Sequence, residues 1–125
     1  MSNAPTAAAL TGLRVLVVED EFLVALDLSS ILDDLGCVVL GLAATVPEAL
    51  RLLAADPPDV TLLDINLDGA RTTPVALALA ADGVPFIAVT AYASLPEPVF
   101  DGVPVVGKPF WPEQVRDALL ALPRP

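Results

Sequence analysis

Four short apolar runs each end in a polar group, and this repetition restricts the fold more than any other feature of the chain. The run at 15–18 ends in Glu19 and Asp20, and the run at 60–63 ends in Asp64. The run at 86–89 ends in Thr90, and the run at 103–106 is followed by Gly107, Lys108 and Pro109. Short β-branched runs between helical stretches predict parallel strands buried on both faces, with all C-terminal ends on one sheet edge. Three carboxylates, a hydroxyl and an ammonium then meet where open α/β sheets bind ligands.

The elements between these runs follow from local chemistry. A first strand is expected over about 13–18, then a helix over about 21–35 with Phe22, Ala25, Leu28, Leu32 and Leu35 at helical spacing on one buried face. Gly36 supplies a left-handed stop. A second strand at 38–42 precedes Thr45 and Glu48, which have capping-box spacing for a helix running to about Ala55. Pro57 and Pro58 break that helix before a strand at 60–64, and Asp68-Gly69 marks a tight turn after it. A helix over 74–81, a strand at 86–90, a strand at 103–106 and a last helix from Pro112 to before Pro123 complete the pattern. Pro96 and Pro98 leave the stretch at 94–102 without a regular helix. The order predicts a doubly wound α/β fold with right-handed crossovers.

Composition narrows the function classes. A chain of 125 residues, 55% hydrophobic, fits one domain over 11–125 with no output domain, preceded by a loose arm at 1–10. Sixteen acids, six bases and no histidine give a net charge of −10, which repels phosphate backbones and argues against nucleic acid as a partner. The arm carries no basic residue and no sustained apolar segment, so neither a signal peptide nor a membrane span is expected. One cysteine, Cys37, excludes an internal disulfide framework and reads as a small core residue in a cytoplasmic protein.

Glu19, Asp20 and Asp64 together form a set of hard oxygen ligands suited to Mg2+, and without a cation they repel one another. Lys108, the single lysine of the chain, is placed to neutralise a phosphoryl oxygen, and Thr90 to donate a hydroxyl to another. A carboxylate facing a metal-held phosphoryl group acts as a nucleophile and yields an acyl phosphate, and Asp64 stands alone on a central strand. Any one of these groups taken singly is more often a plain polar strand end. All five on one edge are harder to explain that way. Lys108-Pro109 is also a position where a cis bond is tolerated.

The motifs VLVVEDE (15–21), LLDINLDG (62–69), AVTAY (88–92) and GKPF (107–110), in this order, resemble the receiver domains of two-component response regulators. The resemblance implies a five-stranded sheet of order 2-1-3-4-5, and a role as a phosphoacceptor signalling protein that promotes its own phosphotransfer and dephosphorylation. It implies Asp64 as the phosphoacceptor, Asp20 and Glu19 as Mg2+ ligands with the Asn66 backbone carbonyl, Thr90 as the switch hydroxyl and Lys108 as the phosphate-pairing lysine. Ala91 is then the small residue that admits the phosphoryl group, and Asn66 and Tyr92 flank and tune the acceptor. The donor implied is a phosphohistidine on a sensor histidine kinase or a phosphotransfer protein.

Val105 stands where receivers commonly carry Tyr or Phe, three residues before the lysine. Together with FIAVTAY at 86–92 this resembles an atypical subfamily with a Phe-Ala-Thr-Gly-Tyr signature, associated with HWE-type kinases, although Ala91 replaces its glycine. Phe22 and Phe110 read as packing residues, and Asp68 and Arg71 as loop surface. Val105, Phe110 and Trp111 are candidates for a face that meets a downstream protein partner, Trp111 because it occupies an N-cap position it cannot chemically fill. A stand-alone switch competes with a phosphate sink or relay and with a phosphorylation-independent adaptor. An aspartate-nucleophile phosphatase is weaker, because Asn66 stands where such enzymes place a second aspartate.

Overall fold

The computed structural model describes residues 7–91, 95 and 97–123. In chain order the elements are β1 (Arg14–Val18), α1 (Phe22–Asp34), β2 (Val38–Ala43), α2 (Val46–Ala55), β3 (Val60–Leu63), β4 (Asn66–Leu67) and β5 (Ala70–Arg71). These are followed by α3 (Thr73–Ala81), β6 (Phe86–Thr90), β7 (Val105–Gly107) and α4 (Pro112–Ala121). Five strands form one parallel sheet in the order β2-β1-β3-β6-β7, and β4 and β5 form a separate antiparallel hairpin. Counted without that hairpin, the order is the 2-1-3-4-5 expected from the resemblance.

Alternation along the strands builds two cores. Val15 and Val17 of β1 and Leu62 of β3 face α1 and α4, where they join Leu28, Leu32, Val115 and Leu119. Leu16, Val18 and Leu63 face the other way and join Ala49 and Leu53 of α2 and Val75, Ala76 and Leu79 of α3. A sheet covered on both faces accounts for its nearly continuous apolar strands.

The helix ends follow the chemistry of their caps. Gly36, at φ +83°, ends α1 with the Cys37 N–H on the Leu32 carbonyl at 3.0 Å and its own N–H on Asp33 at 3.0 Å. That pair of bonds is a Schellman stop. Thr45 caps α2 by accepting from the Glu48 N–H at 3.2 Å, but Glu48 reaches past Thr45 to the Ala44 N–H at 3.1 Å.

The tight turn expected at Asp68-Gly69 is present and closes a two-residue hairpin, with both residues at positive φ (49° and 87°) as a type I′ turn requires. Other expectations are corrected. The last strand begins at Val105 rather than 103, because Pro104 has no N–H to give and only its carbonyl accepts, from Ala88 at 2.9 Å. Phe22 does not join the buried face of α1. It is 70% exposed in the first turn, beside the site edge, while Ala25, Leu28, Ile31 and Leu32 are buried. Among the described residues, the connection from β6 to β7 holds only a 3-10 turn at Pro98–Phe100.

Residues 1–6 of the expected arm lie outside the described residues, and the rest of it is packed. Ala7–Leu10 forms a 3-10 turn, and Leu10 is 0% exposed within the α1/α4 core because its side chain completes that apolar layer. Leu10→Ala is expected to lower stability by about 2–4 kcal/mol in a urea melt, as for a buried leucine, whereas a loss under about 0.5 kcal/mol would return the segment to an arm.

Candidate functional site

The C-terminal edge of the sheet gathers the polar strand ends. The Glu19 N–H extends the sheet pattern to the Ala43 carbonyl at 2.9 Å, and the Asp64 N–H does the same to Val18 at 2.9 Å. The Lys108 N–H bonds the Thr90 carbonyl at 3.0 Å. Glu19, Asp64 and Thr90 are therefore fixed through backbone and are buried, and Asp20 is half-buried.

Lys108 Nζ lies 2.7 Å from Glu19 Oε2, 3.1 Å from Asp64 Oδ2 and 3.5 Å from Glu21 Oε1. One ammonium thus faces three carboxylates. Burial lowers the Lys108 pKa, but Glu19 and Asp64 outweigh it, so the group stays above its ordinary value and charged. Burial pushes Glu19 up to about 7, against the opposing pull of Lys108 and of the Glu21 N–H that bonds its Oε1 at 3.1 Å; the Asp64 charge adds to the rise. The Lys108–Pro109 peptide is cis.

A carboxylate oxygen from each of Glu19, Asp20 and Asp64 lies within 4.8 Å of the others. These are hard donors with more negative charge than Lys108 balances, and a divalent cation with a preference for oxygen fits them. The backbone carbonyl of Asn66, expected as a further ligand, belongs to the first residue of β4. Its N–H donates to Asp64 Oδ1 at 3.3 Å.

Ala91 follows β6 directly and is exposed, so no side chain of its own blocks that side of the edge. Tyr92 lies outside the described residues. Val105 is 52% exposed on the outer strand, Phe110 is half-buried against the α1/α4 core, and Trp111 is 73% exposed. Trp111 offers α4 no side-chain acceptor; instead Gln114 Oε1 accepts its N–H at 2.6 Å.

Two residues escape sequence reasoning. Thr72, fully buried, donates its hydroxyl to the Asp64 backbone carbonyl at 2.6 Å and its N–H to the Ile65 carbonyl at 2.9 Å, closing the loop that follows Asp64. Arg71, expected as loop surface, pairs with Glu97. Only the Asp68-Gly69 turn hints at these contacts, since a two-residue hairpin brings Arg71 and Thr72 back beside Asn66 and Asp64.

The family model described as the response regulator receiver domain matches residues 15–119. The chain belongs to the response regulator receiver domains. It is 36% identical over 117 residues to the phyllosphere-induced regulator PhyR of Methylorubrum extorquens, covering 86% of this chain and 42% of that protein. The chain thus spans less than half the length of this relative. The crystal structure of the anti-anti-sigma factor PhyR from Bartonella quintana superposes with a TM-score of 0.77 at 30% identity, over 91% of this chain and 48% of that one. The solution structure of SdrG from Sphingomonas melonis Fr1 gives a TM-score of 0.78 at 39% identity, over 91% of this receiver and 98% of that chain.

The raised Glu19 pKa sets a pH dependence. A carboxyl that folding shifts upward binds its proton more tightly in the folded state, so its contribution to stability falls as pH rises from about 4.5 through about 7. In metal-free buffer Glu19→Gln is therefore expected to stabilise the protein at pH 8 by about 1 kcal/mol or more, with the gain fading toward pH 4. Thermal melts across that range check it; a difference independent of pH would contradict the assignment.

Proposed function

We infer that this receiver accepts a phosphoryl group on Asp64 from a phosphohistidine of a sensor kinase or phosphotransfer protein and signals through protein contacts. The observation that carries this is Lys108 Nζ held between Glu19 and Asp64 beside a three-carboxylate cluster. Mg2+ bound by Glu19, Asp20, Asp64 and the Asn66 carbonyl would neutralise charge on the phosphoryl oxygens.

A carboxylate oxygen of Asp64 forms its bond to phosphorus as the phosphorus–nitrogen bond of the donor breaks. The electron pair leaves with the imidazole nitrogen, which takes a proton from solvent. Lys108 then exchanges one partner for another: its ammonium, now shared by carboxylates, pairs with a phosphoryl oxygen. Thr90 supplies a hydroxyl from the end of β6, and Ala91 leaves room for the incoming group. Asn66 and Tyr92 flank the acceptor and tune its hydrolysis.

In this reading the protein acts in the cytoplasm beside its kinase donor, and its net charge of −10 favours protein partners over nucleic acid. Exposed Phe22, Leu23 and Leu26 in α1 follow Glu21, which pairs with Lys108, and form the face we assign to the kinase. An HWE-type kinase is the fitting class, because Val105 in place of an aromatic matches the atypical signature. Val105, Phe110 and Trp111 belong to the output side. The anti-anti-sigma description of the Bartonella protein supports a downstream protein target.

Wild type incubated with acetyl phosphate and Mg2+ is expected to gain one phosphoryl group by intact mass, and Asp64→Ala none. Lys108→Ala is expected to slow the gain by roughly 10- to 100-fold with the fold retained in circular dichroism. Uptake unaltered in Lys108→Ala would remove its role, and no Mg2+-dependent uptake by wild type from any competent donor would favour the adaptor.

A further inference from the structure

The β4–β5 hairpin stands outside the main sheet but is fastened at both ends. At the acceptor end the Asn66 N–H reaches Asp64 Oδ1 at 3.3 Å, and the Thr72 hydroxyl holds the Asp64 carbonyl at 2.6 Å. Across the hairpin Asn66 is the ladder partner of Arg71. Arg71 in turn grips Glu97, 26 residues on, with Nε 2.9 Å from Oε1 and Nη2 in closer contact with the same oxygen.

Glu97 leads into the 3-10 turn at Pro98–Phe100, whose buried Phe100 packs edge-to-face on Phe86 of β6 with ring centroids 6.2 Å apart. A two-residue turn with both residues at positive φ leaves the hairpin little slack. Exposed ion pairs usually contribute little. Here the other Glu97 oxygen, Oε2, is buried with no hydrogen-bond partner among the described residues, and Arg71 first, then the Glu97 N–H, hold this carboxyl below its usual range.

We propose that the hairpin is the mechanical link from the acceptor loop to the β6–β7 connection, fastened to Asp64 through Asn66 and Thr72 and to Glu97 through Arg71. The link rests on Asp64 being the acceptor. A group bonded to Asp64 displaces the carboxylate that Asn66 holds, and the Asn66–Arg71 pairing passes that displacement to Glu97 and to the Phe100 anchor. The route needs no aromatic at position 105, where this chain has an exposed valine.

The test uses the full chain, nitrogen-15 labelled, with Mg2+ and beryllofluoride as the acyl-phosphate probe. In wild type, amide shifts are expected at 64–66 and 108 and also at 97, 99 and 100. Arg71→Ala and Glu97→Ala should each cut the response at 97, 99 and 100 at least twofold while that at 64–66 persists, and the double variant should lose no more than either single. An undiminished response in the variants, additive losses, or no wild-type response at 97, 99 and 100 would overturn the link alone. No wild-type response at 64–66 would overturn both the link and the acceptor assignment.

Discussion

The contact of one ammonium with several carboxylates governs this molecule. Lys108 sits within 3.5 Å of Glu19, Asp64 and Glu21, and without it the sheet edge would hold a buried cluster of like charges. The cost of such a cluster shows in Glu19, which burial drives up to about 7 even with the lysine beside it. A site in this condition gains from further positive charge, which a divalent cation would supply to its carboxylates.

The scaffold keeps that tension from dissipating. Glu19, Asp64 and Lys108 each extend a strand by a backbone hydrogen bond, to Ala43, Val18 and Thr90, so their side chains start from anchored positions. Behind them, β1 and β3 are buried on both faces between the α1/α4 layer and the α2/α3 layer. Thr72 adds a fixed point at the Asp64 carbonyl. Charges that would otherwise move apart are held together by packing that has nothing to do with charge.

What was legible in the sequence reflects the range of the forces involved. The strand at 86–90 appears with its expected bounds, because a buried strand writes its environment into every residue. The meeting of Glu19, Asp20, Asp64 and Lys108 follows from strand direction alone, with Thr90 joined to Lys108 through backbone. Phe22 did not follow: helical spacing continues into the first turn of α1 whether or not the sheet lies beneath it. Leu10 was missed because a four-residue 3-10 turn has too little periodicity to announce a buried side chain. The Arg71–Glu97 and Thr72–Asp64 contacts depend on a hairpin of two-residue strands, whose only written sign is Asp68-Gly69.

In the proposed reading one acid of this cluster, Asp64, takes the phosphoryl group. Phosphorylated protein reduced with borohydride converts an acyl phosphate to an alcohol, so the acceptor aspartate is read out as homoserine by peptide sequencing. Homoserine at position 64 alone is the predicted result. Homoserine at Asp20 or another acid instead, or none in protein shown by mass to carry a phosphoryl group, would contradict the account.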